Sequence, residues 1–531
     1  MIAAIVTLTL VMTWPLGRIT DAVIPASDDA HFSIWRLAWI AHQLPADPAH
    51  LFDANIFHPA SGTLALSDAM LLVGVMGVPF FKLGVSPAII HNGLLLTAIA
   101  LSMLCAYALA RRLTGSDRAA FLAAIIFGFA PYRIAHIGHL ELQWTMWMPL
   151  SMLLLHRLSE RPGVGRALLL GASLTAQFFC SLYYGLFLGC YLGIAWMALM
   201  PFHADRRRIF AVSLAVAAPL LLVATIYGPP YTSARAEMGS REAAEVEKFS
   251  AVPSDYLRVP QENAWRGRAD AGPSPDERSL FPGVIAILLA AAALMPPWSR
   301  VTVLYAGLAL VSFDFSLGIN GWLFPLLRSA FGFAANLRSP SRFGVLVLMS
   351  LAMLAAMGAA RIFQRKPGVA GPVFAIMLVA CLGEYWSAPL PHRAYEREPS
   401  AAHEWLAQNR PGSVVLELPA PTLQTLWLHE SKYLMRSIHH WQPLVNGYSG
   451  YHPVHYVRMI NAMASFPGGD TVERLRQANV RFVLINREFY APDQFAALIK
   501  AVENSGQFWP AREFGDGDRK IVVVEPKPGP G

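Results

Sequence analysis

The sequence predicts a polytopic α-helical membrane protein, with about eleven transmembrane helices followed by a small α/β segment. Three observations carry that prediction. Of the 531 residues, 55% are hydrophobic and only 15% are charged, whereas soluble chains carry about a quarter charged residues. Apolar stretches approaching the roughly 20 residues of a membrane span recur from the N-terminus to about residue 386. Beyond that point the pattern changes to short β-like runs alternating with helical periodicity.

The spans read from hydropathy are 2–17, 88–110, 119–131, 144–156, 167–182, 184–202, 209–227, 280–295, 301–316, 343–360 and 369–386. The first lacks a basic n-region and a small-residue cleavage site, so it reads as a retained helix rather than a signal peptide. The stretch 70–84, MLLVGVMGVPFFKLG, is apolar but short and is interrupted by Pro79 and Lys82. It reads as an interfacial or re-entrant helix.

The loops 111–118, 156–166, 203–208, 296–300 and 361–366 all carry Arg or Lys, against only Asp117, Glu160 and Asp205. The positive-inside rule makes that side cytoplasmic. The N-terminus is then inside, and 18–87, 132–143, 228–279, 317–342 and everything after 387 lie outside. A bacterial inner membrane suits this layout. The net charge of +7 is a topology signal, and its scatter argues against a nucleic-acid partner. Cys105, Cys180, Cys190 and Cys381 all fall in apolar segments without CxxC spacing, so they read as small buried hydrophobes.

After residue 387, SVVLELP, RFVLIN and KIVVVEP read as strands, while DTVERLRQA and PDQFAALIKAVEN read as helices. Two domains follow: 1–386 in the membrane with its outer loops, and 387–531 as an extracytoplasmic α/β domain. The tail KPGPG reads as disordered.

The chemistry concentrates on the outer side. SDDAHFSIWRLAWIAHQL puts Asp28 and Asp29 at the head of a helix whose Phe32, Trp35, Trp39 and His42 recur at helical spacing. Trp favours the headgroup level, so the helix reads as interfacial. The plain alternative is capping, with Asp28 as N-cap and Asp29 as a first-turn acid. The functional reading is a surface carboxylate acting as general base. No cofactor is fixed by the sequence, and a divalent cation at the acid pair is the one candidate.

PYRIAHIGHLELQ adds Arg133, His136, His139 and Glu141. HxxH on a helix presents both rings on one side, but the HExxH zinc arrangement is absent. Phosphate binding by Arg133 and one His is the reading preferred over a metal. In NLRSPSRFG, Arg338 and Arg342 stand at the depth of lipid phosphates, where the guanidinium fork suits a phosphate. Asp68 precedes the interrupted apolar piece and can face the same site. Asp53, Asp314, Glu384, Tyr183 and Tyr184 read as caps, belt or lining residues. The loop 228–279 is long enough to be a lid. SKYLMRSIHHWQPLVNGYSGYHP has the rings and amides of a carbohydrate platform.

With these residues the chain resembles the bacterial GT-C glycosyltransferase superfamily, to which protein O-mannosyltransferases and the lipid A aminoarabinose transferase belong. The resemblance lies in the SDD motif after the first span, in ALARRLTG and in FGFAP. FHPASGTLALSD, HIGHLELQW, ERSLFPG, LRSPSRFGVLV and HWQPLVNGYSGYHP resemble an uncharacterised subgroup of GT-C-like proteins. The resemblance implies a GT-C-like fold, a polyprenyl-phosphate-linked sugar donor and an envelope glycan, lipid or protein acceptor. It also implies transfer on the outer face, with Asp29, and next Asp28, as the catalytic acid. No residue of a later outer loop matches the second catalytic group. The competing classes are a lipid-linked glycan transporter or flippase, and a non-catalytic accessory protein. The polar residues sit at the outer ends of spans rather than at mid-membrane depth, which favours surface chemistry over transport.

Overall fold

The computed structural model describes residues 1–531 except 201–205, 239–240, 268–275, 331–336, 397, 422–424, 426–428 and 530–531. Parts of the predicted cytoplasmic loop 203–208 and of the outer loops 228–279 and 317–342 therefore lie outside the described residues.

The chain is mostly helical, and a helix lies at each predicted span. Among the described residues five helices are long and apolar enough to cross a membrane: Pro87–Thr114, Asp117–Ala135, Leu182–Leu199, Pro340–Arg365 and Pro367–Glu384. A sixth is the pair Ile209–Ala217 and Leu220–Ala236, bent by 41°. Pro219 sits at the break, where it removes a backbone donor and crowds the preceding turn. The predicted spans at 2–17, 167–182 and 280–295 are shorter apolar helices, Ile2–Met12, Val164–Cys180 and Val284–Ala293. The interrupted stretch forms the helix Leu71–Lys82.

Packing of the bundle depends on small residues. A Cβ on Gly358 would lie 1.9 Å from Leu289 O, and one on Gly171 would lie 2.2 Å from Val216 O. Helices approach this closely in membranes because dispersion contacts replace the hydrophobic drive that lipid does not supply.

Two sheets follow. β1 (Val23–Pro25) pairs antiparallel with β2 (His392–Ala394), with Ile24 opposite Arg393. β3 (Val414–Leu418), β4 (Val480–Asn486), β5 (Arg512–Phe514) and β6 (Ile521–Val524) form a sheet in the order β3-β4-β6-β5. β3 and β4 are parallel, and the other pairings are antiparallel. β3 and β6 are buried along their whole length, as expected for sheet covered on both faces. The C-terminal tail begins ordered: Lys527 N donates to Gln507 O at 2.8 Å, and Arg476 Nε donates to Lys527 O at 2.7 Å. This corrects the expectation of disorder at Lys527, while residues 530–531 of the same tail lie outside the described residues.

The Asp28–Ala46 helix is buried on every side from Ala30 to Ile40. It does not lie open at an interface. Trp441 covers Trp39 at a ring distance of 5.7 Å, and Tyr448 covers Phe32 at 5.4 Å. Segment 442–446 runs between β3 and residues 55–57. Val415 N donates to Pro443 O and Leu444 N to Asn55 O, while Phe57 N donates to Asn446 O. Gly447 is needed here, because a Cβ on it would meet the Phe57 ring at 2.3 Å.

Candidate functional site

Ser27 is the N-cap of the Asp28–Ala46 helix, its hydroxyl accepting from Asp29 N at 3.2 Å. The cap is therefore Ser27 and not Asp28. Both acids occupy the first turn, where the helix dipole favours them. Their environments differ. Asp28 Oδ1 accepts from Arg393 Nη1 at 3.0 Å and from Ser431 Oγ at 3.1 Å. The β1–β2 pairing delivers that arginine. Among the described residues Asp29 meets no cation of fixed charge. Its Oδ1 accepts from Tyr448 Oη at 3.1 Å, and its Oδ2 faces His139 Nε2 at 3.4 Å.

A chain of charges runs inward from Asp29. His139 Nδ1 lies 3.6 Å from Glu141 Oε1, and Glu141 Oε2 accepts from Arg36 Nη2 at 2.7 Å. Burial would lower the His139 imidazole, but Asp29 and Glu141 hold it above its ordinary value. Burial would raise Glu141, but Arg36 and then His139 hold it well below the usual carboxylate range. Arg36 also donates to Asp68 O at 2.6 Å and to Ser33 Oγ at 3.0 Å.

Asp68 accepts from Leu182 N at 2.5 Å and Ser181 Oγ at 2.8 Å, capping the Leu182–Leu199 helix. Burial, and secondarily the charge of Glu141, pushes its carboxyl up to about 6. The folded state thus binds the Asp68 proton more tightly than the unfolded chain does. Stability from this group is full below about pH 4 and is lost as pH rises through about 6, by about 3 kcal/mol. Thermal unfolding of the purified protein across that range should show a smaller fall for Asp68→Asn than for wild type.

His136 and His139 do not share one helical face. His136 ends the helix Pro131–Ala135 and His139 precedes Leu140–Gln143. His136 Nε2 lies 3.0 Å from Glu277 Oε2, and Arg342 Nε donates to the same oxygen at 2.9 Å. Burial opposes ionisation of Glu277, but Arg342 and then His136 hold it well below the usual carboxylate range. Glu277, which the sequence reading did not single out, is the acid that Arg342 and His136 share. It lies in the charged run PDERS, which carries no periodicity to single it out.

Arg133 is not at the site. It is 1% exposed and donates to Thr145 Oγ1 and to Gln143 O. Its two terminal nitrogens are held within the bundle, and it lines neither of the pockets described next. Asp53 accepts from Gly62 N, Asp314 from Leu323 N and Glu384 from Val284 N, so all three act as caps or turn acceptors. Tyr184 is buried against Tyr132, while the Tyr183 hydroxyl accepts from Arg338 N at 3.0 Å.

One cavity of about 1160 Å³ joins these groups. Its polar lining includes Asp28, Asp29, Asp68, His139, Glu141, Glu277, Arg338, Arg342, Arg393 and Tyr448. Its apolar wall is Phe178, Leu182, Leu186, Leu220, Val223 and Tyr227. Arg342 is committed to Glu277. The Arg338 guanidinium sits 5.0 Å over the Phe249 ring and 3.9 Å from Glu245, a quarter of the side chain exposed, so it is the more available cation. A smaller pocket of about 200 Å³ adjoins, lined by Asp29, His136, His139, Glu262 and Glu277. Such a polar head on an apolar slot suits a ligand with an anionic headgroup and a hydrocarbon tail.

No family model and no curated protein matches the chain. Among solved structures it is similar to the arabinofuranosyltransferase AftD from Mycobacteria, with a TM-score of 0.65 at 15% identity over 99% of this chain. The chain spans 40% of that protein's length. It also aligns with ArnT from Cupriavidus metallidurans bound to undecaprenyl phosphate, with a TM-score of 0.47 at 13% identity over 98% of this chain and 97% of that one. The chain shares its fold with AftD, and it carries several helices long and apolar enough to cross a membrane.

Proposed function

We propose that the protein transfers a sugar from a polyprenyl-phosphate-linked donor to an envelope glycan, lipid or protein acceptor on the extracytoplasmic face of the bacterial inner membrane. In this reading 1–386 is the transmembrane domain, its eleven helices starting from a cytoplasmic N-terminus. The segment 387–531 is an extracytoplasmic α/β domain that closes over the first outer loop. The observation that carries the reading is the cavity: an acid held by a tyrosine and a histidine, a set of arginines and apolar side chains share one space.

The chemistry is a single displacement. The acceptor hydroxyl attacks the anomeric carbon, the bond to the phosphate oxygen breaks, and the polyprenyl phosphate leaves as an anion. Asp29 takes the hydroxyl proton as general base. Tyr448 and His139 hold its two oxygens in place. Arg338, with Arg342, neutralises the departing phosphate. Phe178, Leu182, Leu186, Leu220 and Val223 receive the first prenyl units. Asp28, tied to Arg393 and Ser431, aligns the helix start rather than the substrate. The observations provide no role for Arg133 in binding. His136 acts through Glu277, and Glu141 and Asp68 act through Arg36 and His139.

The test is turnover by purified protein in nanodiscs, offered a panel of polyprenyl-phosphate sugars with cell-envelope extract as acceptor. Release of polyprenyl phosphate with label passing to the extract supports transfer. Failure to bind any member of the panel removes the reading and favours an accessory role.

A further inference from the structure

Away from the cavity, three side chains with metal-ligating atoms converge in the C-terminal segment. His403 comes from the helix Ala401–Asn409, Glu417 from β3, and His440 from the turn after the helix Glu430–Ser437. His403 and Glu417 are fully buried and His440 is 7% exposed. One ligand atom of each lies within 4.8 Å of those of the other two. His403 Nε2 is 3.2 Å from Glu417 Oε1, and the two imidazoles lie parallel with centroids 5.6 Å apart.

The outer contacts orient two of the three. Ser400 Oγ lies 2.6 Å from His403 Nδ1, which leaves Nε2 as the coordinating nitrogen. Asn486 Nδ2 donates to Glu417 Oε2 at 3.0 Å, which leaves Oε1 free to coordinate. A buried His–Glu ion pair would account for these two residues but not for the third. His440 Nε2 is buried and has no hydrogen-bond partner among the described residues. A buried ring nitrogen calls for a partner, and here two further metal-ligating side chains stand beside it.

We propose that His403 Nε2, Glu417 Oε1 and His440 Nε2 hold one divalent transition-metal ion of the zinc class. Two imidazoles and one carboxylate suit such an ion, with a fourth position left for water. Calcium and magnesium take oxygen ligands and do not fit this set. His440 Nδ1 accepts from Gln442 N at 2.9 Å, so without metal the ring proton sits on Nε2. Loading moves that proton to Nδ1 and gives up the amide contact, a small loss beside three metal–ligand bonds. The ion ties a helix, a strand and a turn together, and that turn leads into segment 442–446. The proposal does not depend on the transfer reading, since none of the three residues lines the cavity.

The experiment measures metal in full-length protein purified without a metal-affinity column. About one zinc per chain is expected in wild type, lost in His440→Ala and retained in the neighbouring control His439→Ala. After chelation, added Zn2+ should raise the unfolding temperature of wild type and not of His440→Ala. Should His440→Ala fail to fold, Co2+ added to chelated wild type reads the same site, and strong tetrahedral visible absorption is expected. Absence of bound zinc together with no thermal response to Zn2+ overturns the proposal. So does equal zinc in wild type and His440→Ala, or a Co2+ spectrum without tetrahedral bands.

Discussion

Asp29→Asn is expected to slow transfer by roughly 10²–10⁴-fold, the usual contribution of a general base, with donor binding unchanged. Asn is isosteric and still accepts from Tyr448, so the helix start and its Ser27 cap should survive. What is lost is the ability to take a proton. Asp28 cannot substitute, because Arg393 and Ser431 occupy its Oδ1 at 3.0 and 3.1 Å. Asp28→Asn should instead act on stability at the β1–β2 junction. Steady-state kinetics separate the two: the loss for Asp29→Asn falls on kcat, and unchanged kcat removes Asp29 from the mechanism.

Glu141→Ala is expected to destabilise the folded protein by about 3–5 kcal/mol, because it strands the Arg36 charge in a site that is 1% exposed. That is a large share of the roughly 5–15 kcal/mol available to a folded protein. The double variant Arg36→Met, Glu141→Leu should recover most of the loss, since two apolar residues of similar volume replace the pair. Thermal unfolding of the four-member cycle checks this. A Glu141→Ala protein within about 1 kcal/mol of wild type would mean that the buried pair is hydrated.

The membrane class and the helix positions were legible because lipid forces long apolar runs, and these survive in hydropathy alone. Asp28 and Asp29 were legible because acids stand out directly after such a run. The burial of the Trp-rich helix was not. Ala30–Ile40 is covered by Trp441 and Tyr448, some four hundred positions away, and local periodicity cannot report such a cover. The same limit hid Glu277, whose role comes from Arg342 and His136 in two other elements. Arg133 looked exposed because it follows an apolar run, yet the chain turns back and Thr145 and Gln143 accept from its two terminal nitrogens inside the bundle. The cluster of His403, Glu417 and His440 follows no ligand spacing in sequence and exists only through the packing of helix, strand and turn.

The most direct test of the central claim is a cryo-EM map of the protein in nanodiscs with an unhydrolysable polyprenyl-phosphate sugar. The account predicts phosphate density against Arg338 and Arg342, prenyl density along Phe178, Leu182 and Leu220, and the sugar facing Asp29. Phosphate bound elsewhere, with this cavity empty, would contradict it.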